Sequence, residues 1–200
     1  MDNVDRTERK RIRKLKQYEE ELWEQGFRYI AGIDEVGRGP IAGPVVVAAV
    51  VLPRKTFIAG VNDSKKLSAK KRETLAAEIK AKAISWTVVA VNPPYLDEIN
   101  ILNATRKAMH IAVAELCPRP DFLLIDALKL SDINIKQQSI IKGDTLSMSI
   151  ACASIIAKVE RDNLMQSLDE IYPGYGFAQH KGYATRGHIE ALITNGPCSL

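Results

Sequence analysis

The spacing of hydrophobic positions changes several times along the chain, and each change marks a predicted element. From Arg6 to Gln25 there is no Pro or Gly, and Ile12, Leu15, Tyr18 and Leu22 recur at helical intervals. That predicts one amphipathic helix ending at Gly26. Phe27 to Glu35 reads as a strand, and the β-branched run from Pro44 to Leu52 as a second. A short Gly-Pro-rich turn links them, which predicts antiparallel neighbours. After the loop "PRKTFIAGVNDSKKLS", Ser68 is placed to cap a helix running to about Ala83. "SWTVVAVN" reads as a third strand, Pro93 and Pro94 break the chain, and a helix is predicted from about Asn103 to Leu116. "DFLLIDALKL" has the apolar centre of a buried fourth strand, and "QQSIIKG" reads as a short fifth. A long helix follows from about Thr145 to Ile171, then the loop "YPGYGFAQHKGYATRG" and a last helix from His188 to Thr194.

Antiparallel strands first and β-α-β units later predict an α/β fold, with a mixed five-stranded sheet and helices on both faces. Residues 1–26 form a charged helical extension, and residues 27–200 one domain. Composition agrees: 200 residues, 46% hydrophobic and 26% charged, describe a soluble globular chain able to bury a core. The longest apolar run, Val45 to Leu52, is too short to span a bilayer, and the charged N-terminus lacks a secretory apolar region. Cys117, Cys152 and Cys198 are scattered without metal-type spacing, which suggests reduced thiols and a cytoplasmic protein. Monomer is the default expectation. The net charge of +4 is compatible with a polyanionic partner, and its distribution is more informative than its size. The first half of the N-terminal helix is basic (Arg9, Lys10, Arg11, Arg13, Lys14, Lys16) and the second half acidic (Glu19, Glu20, Glu21, Glu24). The basic half reads either as a solvated face or as a nucleic-acid contact.

Four acids occupy unusual addresses. Asp34 and Glu35 are adjacent at the end of a strand heading into the core, where desolvation and repulsion oppose both unless a cation joins them. Side chains alternate along a strand, so both reach one site only if the strand ends there, and Gly37 and Gly39 supply that ending. Asp126 closes the run Phe122-Leu123-Leu124-Ile125, at the carboxyl end of a strand where α/β sheets line their functional crevice. Asp144 opens the long helix, either as a plain cap or as a fourth acid. The Ser- and Ala-rich start of that helix lets it lie close to the sheet. Four carboxylates without His or Cys suit two Mg²⁺ or Mn²⁺ ions, and such a pair suits phosphodiester cleavage.

The loop "GRGPIAG" is superficially a dinucleotide-binding motif, but that motif must open a helix, and here a β-branched strand follows. It reads better as backbone lying against a sugar-phosphate chain, with Arg38 as a charge, or simply as a tight hairpin. Ser64, Lys65 and Lys66 in "NDSKKLS" suit phosphate contacts. In "HKGYATRGH", Lys181 and Arg186 flank Tyr183, which suits either stacking on a sugar or base or packing within its loop. His180 and His188 are not expected to bind metal, because nothing else in the loop completes a site.

The sequence resembles the bacterial type 2 ribonucleases H. The matching pieces are "AGIDEVGRGPIAGPVVVAAVVL", "DSKKLS", "LLIDALKL", "GDTLSMSIACASIIAKVERD" and "HKGYATRGH", in the family order across Tyr29 to Ala191. The resemblance implies a ribonuclease H-like fold and endonucleolytic hydrolysis of RNA in RNA–DNA hybrids. It also implies incision 5′ of single ribonucleotides in duplex DNA, leaving 3′-hydroxyl and 5′-phosphate ends. It places the catalytic, metal-binding acids at Asp34, Glu35, Asp126 and Asp144, and a 2′-hydroxyl sensor at Gly37, Arg38 and Gly39. It assigns Tyr183 to the RNA–DNA junction, with Ser64, Lys65 and Lys181 as further substrate contacts. "GRGPIAGP" differs from the glycine loop of the related type 3 enzymes. Family chains usually continue with a His-Arg-rich tail beyond this sequence, so either the chain is trimmed there or the tail is absent, and less than full substrate affinity is the expectation. The basic N-terminal helix lies outside the family core. Two other classes remain as alternatives: a catalytically silent nucleic-acid-binding module, against which the complete acid set counts, and a DNA junction resolvase, against which the 2′-hydroxyl sensor counts.

Overall fold

All seven residues of the strand Val45–Val51 are buried, because helices cover both of its faces. The computed structural model describes residues 5–200, and the first four residues of the predicted extension lie outside the described residues. The sheet is mixed and five-stranded. β1 (Ile30–Val36) and β2 (Val45–Val51) pair antiparallel, Ala31 facing Val51 and Val36 facing Val46. β3 (Ser85–Val91) adds antiparallel to β2. β4 (Phe122–Asp126) lies parallel to β1, and β5 (Lys136–Ile140) parallel to β4.

Alternation along β2 divides the core. Ala48 and Val50 pack with α1 (Arg6–Leu15), α3 (Ala69–Lys82) and α6 (Met148–Ile171). Val45, Val47, Ala49 and Val51 point the other way, into α5 (Ile101–Glu115). The predicted close approach of the long helix to the sheet is realised on β1. A Cβ on Gly32 would lie 2.1 Å from the Ser149 carbonyl carbon, so only glycine lets α6 lie against this strand.

Several predicted boundaries shift for identifiable reasons. The single N-terminal helix is two, α1 and α2 (Gln17–Glu24), broken at Lys16. Ile12 and Leu15 bury in the core under α6, whereas Leu22 and Trp23 bury against Phe122, Ile140 and Ile150, and one straight helix does not serve both. β1 begins at Ile30 because the amides of Arg28 and Tyr29 donate to the Asp121 carboxylate instead of to a ladder. β4 stops at Asp126, since Ala127 has a φ of 50°. α4 (Tyr95–Ile99) fills the stretch after Pro94, and α5 begins at Ile101, capped by the Asn100 side chain. The long helix starts at Met148 with Ser147 as its cap, so Asp144 is not the cap; it sits in a preceding 3₁₀ turn, Gly143–Thr145. The loop after α6 contains the short α7 (Phe177–His180), and α8 spans Arg186–Asn195.

Candidate active site

The parallel pairing of β1 with β4 runs to Ile33 opposite Ile125. One residue further along, both strands carry an aspartate, Asp34 two residues before the end of β1 and Asp126 at the end of β4. Adjacent strands lie about 4.8 Å apart, so the register itself brings these two acids together. Asp34 is 6% exposed, and its carboxylate accepts a hydrogen bond from the Glu35 amide at 2.8 Å. The Ser154 hydroxyl of α6 faces it and favours its charged form, partly offsetting burial. Asp126 accepts from the Gly143 amide at 2.7 Å, which fastens the Asp144 turn to the end of β4.

Electrostatics confirm that these acids share one environment. Burial pushes the Asp34 carboxyl well above the usual range, and the charges of Glu35 and Asp126 add to it. Burial also raises Glu35, although its ion pair with Arg38, 3.1 Å away, opposes the rise. Burial raises Asp144, and the charges of Asp63 and Asp126 raise it further, with Lys65 opposing. Glu35 Oε2 is buried without any hydrogen-bond partner. Among the described residues no three such side chains close into a ready-made metal cage. The acids instead converge from β1, β4 and the 3₁₀ turn before α6, with more negative charge than Arg38 and Lys65 offset. An all-oxygen donor set with an unpartnered buried carboxylate oxygen fits a hard divalent cation.

Gly37 has a φ of 108°, and a Cβ there would lie 2.4 Å from the Pro44 carbonyl oxygen and 2.7 Å from Arg161 Nε. Gly39 lies beside the Tyr183 ring, whose side chain is 45% exposed. The two loops are joined directly, the Ile41 amide donating to the Gly182 carbonyl at 3.0 Å. Lys65 projects into solvent near Asp144. Ser64 is buried instead, its hydroxyl 3.0 Å from that of Ser154, so it braces the helix position that supports Asp34. Lys181 is tied back to α6, with Nζ donating to the Asp162 carbonyl at 3.2 Å. His188 is buried, its Nδ1 2.9 Å from the Tyr183 carbonyl and its ring stacked on His180 at 4.2 Å. Both rings thus shape the Tyr183 loop.

Three residues that sequence reasoning passed over matter here. Arg161 of α6 is completely buried, and its guanidinium donates to the carbonyls of Pro44 at 2.9 Å, Lys181 at 2.9 Å and Ala42 at 3.2 Å. It staples the glycine loop to the Tyr183 loop. In "AKVERD" it sits among other charged residues, so nothing local marks it as buried. Asp63 caps the turn carrying Lys65 by accepting from its amide at 2.9 Å, and it adds negative charge beside Asp144. Glu19 of α2 accepts from the Ser147 hydroxyl at 2.6 Å and the Ser149 amide at 2.8 Å, capping the helix that follows Asp144. Nothing local in "QYEEELWE" separates Glu19 from its acidic neighbours.

A mixed five-stranded sheet flanked by helices, with carboxylates on its central parallel strands, defines a ribonuclease H-like fold. The comparisons with known proteins narrow this. A family model described as Ribonuclease HII matches residues 31–200. A ribonuclease HII of Syntrophomonas wolfei subsp. wolfei is 65% identical over 191 residues, 96% of this chain and 75% of that one. Among solved structures, the RNase HII in a PCNA complex from Archaeoglobus fulgidus is 31% identical with a TM-score of 0.72. The ribonuclease H2 of Pyrococcus horikoshii is 26% identical with a TM-score of 0.71. Each alignment covers 85% of this chain and 90% of the other. The chain belongs to the ribonuclease HII family, and it is an endonuclease of the ribonuclease H type acting on RNA–DNA hybrids.

Proposed function

We propose that Asp34, Glu35, Asp126 and Asp144 hold two divalent ions, Mg²⁺ or Mn²⁺. We further propose that the chain incises 5′ of single ribonucleotides in duplex DNA as well as within longer RNA–DNA hybrids, leaving 3′-hydroxyl and 5′-phosphate ends. The observation that carries this reading is the set of raised carboxyls at Asp34, Glu35 and Asp144, each lifted chiefly by burial and further by the charge of Asp126, together with a buried Glu35 oxygen that has no partner. Protein groups do not balance that charge, and cations do. When bound, two such ions supply Lewis-acid activation of water and charge to stabilise the departing 3′ oxygen.

The residues of the chain divide the remaining work. The buried Asp34 and Asp126 fix the centre of the site on rigid strand ends, and Glu35 and Asp144 close it. Gly37 to Gly39 bring bare backbone up to the ribose, where the 2′-hydroxyl distinguishes RNA from DNA. Arg38 exchanges its Glu35 contact for a phosphate when substrate arrives. The exposed Tyr183 ring, held beside Gly39, packs against the sugar on the DNA side of the junction. Lys65 and Lys181 add positive charge along the backbone path, and Ser64 contributes from below by supporting Ser154. The protein works as a monomer in the cytoplasm.

The test is cleavage of an end-labelled DNA duplex containing one ribonucleotide, with Mg²⁺, Mn²⁺ or EDTA, beside an all-DNA duplex. A metal-dependent cut 5′ of the ribonucleotide, absent from the all-DNA control, is the expected result. Cutting of the control would make the protein a DNA nuclease. Retained binding without any cutting would make it a binding module.

A further inference from the structure

The charged N-terminal extension has no role in the chemistry above, yet it is built into the molecule beside the site. Ile12 and Leu15 are part of the core under α6, and Leu22 and Trp23 part of the core under β4. The Glu19 carboxylate locks α2 onto the start of α6. α1 and α2 therefore form a fixed wall. Between this wall and the rim of the acid site lies a groove of about 530 Å³. Arg11, Lys14 and Tyr18 line one side of it, and Lys66, Thr145 and Leu146 line the other. Lys66 and Thr145 are the chain neighbours of Lys65 and Asp144, so the groove lies beside the site.

We propose that this groove is an outer subsite for the nucleic-acid duplex, in which Arg11, Lys14 and Lys66 contact the phosphates of one strand beyond the cleaved bond. The inference rests on the hybrid-cleaving reading above and extends it to the N-terminal helices. Three features point to a polyanion. Lys14 is exposed and has no acidic partner among the described residues. Lys66 is exposed, with its nearest acid, Asp63, at the 4.0 Å limit of an ion pair. Arg11 lines the groove with its guanidinium fixed by a two-bond ion pair to Glu8 at 2.7 Å, which leaves its remaining N–H groups for a further acceptor. The one acid in the lining, Glu21, accepts a hydrogen bond from Gln17 at 3.0 Å. Positive charge on both sides of a half-open channel tracks a phosphate backbone, and contacts of this kind add affinity without sequence preference.

The experiment compares the full chain with the double variant Arg11→Gln/Lys14→Gln, using one long hybrid and two hybrids shortened on either side of the cleavage site. Arg106→Gln/Lys107→Gln, on α5 across the sheet, removes the same charge elsewhere. The double variant should raise KM on the long hybrid roughly three- to tenfold and lower the salt-dependence slope by about one per lost contact. That loss should shrink on one of the two shortened hybrids, while the α5 variant behaves as the wild type. An equal loss on all three hybrids would assign the effect to folding or net charge and overturn the subsite, as would no loss on any. Failure of the wild type to cut any hybrid would instead strike at the proposed chemistry, so the two failures are distinguishable.

Discussion

Glu19 and Ser149 stand 130 residues apart in sequence, yet the Glu19 carboxylate accepts hydrogen bonds from both the Ser149 amide, at 2.8 Å, and the Ser149 hydroxyl. Glu19 is 2% exposed and lies at the N-terminus of α6, where the unpaired amides and the helix dipole favour an anion. Its second oxygen, Oε2, is buried and unpartnered. Glu19→Gln keeps an acceptor but loses the charge and buries an amide group with no acceptor. We expect it to cost about 1–3 kcal/mol, and Glu19→Ala more, measured by denaturant midpoint. The Ser147 amide bonds back to Gly143, so loosening this cap also loosens the Asp144 turn. On the hybrid, kcat should fall more than KM changes. An unaltered kcat would restrict Glu19 to a stability role.

The elevated carboxyls give the site a definite pH signature. Asp34, Glu35 and Asp144 hold protons more tightly in the folded chain than in the unfolded one, chiefly through burial. Below the ordinary carboxylate range, near pH 4, both states are protonated and nothing is lost. As pH rises through the folded-state values, the native chain must ionise crowded acids, and stability falls. In EDTA, therefore, the melting temperature should decline as pH rises from that range towards neutrality. Mg²⁺ or Mn²⁺ should restore it at neutral pH, because a ligand that binds only the folded state stabilises it. Asp34→Asn should raise the neutral-pH melting temperature in EDTA while abolishing cleavage. A melting temperature independent of both pH and metal would contradict this account of the charge.

Arg161 should be intolerant of change although it touches none of the four acids. Its guanidinium is buried, and all of its hydrogen bonds go to main-chain carbonyls of the glycine loop and the Tyr183 loop. Arg161→Met removes the donors and leaves three carbonyls to compete for water in a closed space. We expect a loss of about 3–5 kcal/mol, the scale for breaking a buried hydrogen-bonded charge site. Arg161→Lys retains the charge but not the fork, and should rescue part of the stability. Its remaining defect should be in KM, because the Gly37–Gly43 and Lys181–Tyr183 backbones no longer share one anchor. Calorimetry and steady-state kinetics on the same preparations separate the two effects.

The sheet and the placement of the candidate acids on its strands were legible in the sequence because both follow from short-range patterns. β-Branched runs predict strands, and the acid at the end of such a run predicts a strand-end site, as Asp126 after Phe122–Ile125 illustrates. Contacts made across the fold were not legible. The break at Lys16 reflects two separate cores competing for one amphipathic helix, and no residue at Lys16 announces it. Ser64 had the composition of a phosphate-binding loop, but Asp63 caps its turn and the hydroxyl is directed inward to Ser154. Glu19 was indistinguishable from the solvated acids around it, because its partner, the start of α6, is remote in sequence. Asp144 was ambiguous locally, and the ambiguity resolved only when Ser147 proved to be the cap.

The glycine loop permits the separation of folding from recognition at two positions only two residues apart. Gly37 occupies left-handed backbone space, and a Cβ there would collide with Pro44 and Arg161. Gly37→Ala should therefore lose about 2 kcal/mol or more through strain and displacement of the arginine staple. Gly39 is different. A Cβ there would meet Tyr183 at 3.6 Å, an ordinary contact, so Gly39→Ala should melt within about 0.5 kcal/mol of the wild type. The added methyl nevertheless occupies the surface that the ribose is expected to approach beside Tyr183. Gly39→Ala should thus fold normally, bind hybrid weakly and lose preference for the ribonucleotide-containing strand. Melting curves for both variants, with cleavage rates on a hybrid and on a single-ribonucleotide duplex, check this. Normal cleavage by Gly39→Ala on both substrates would remove this glycine from substrate recognition and leave the loop a structural hairpin.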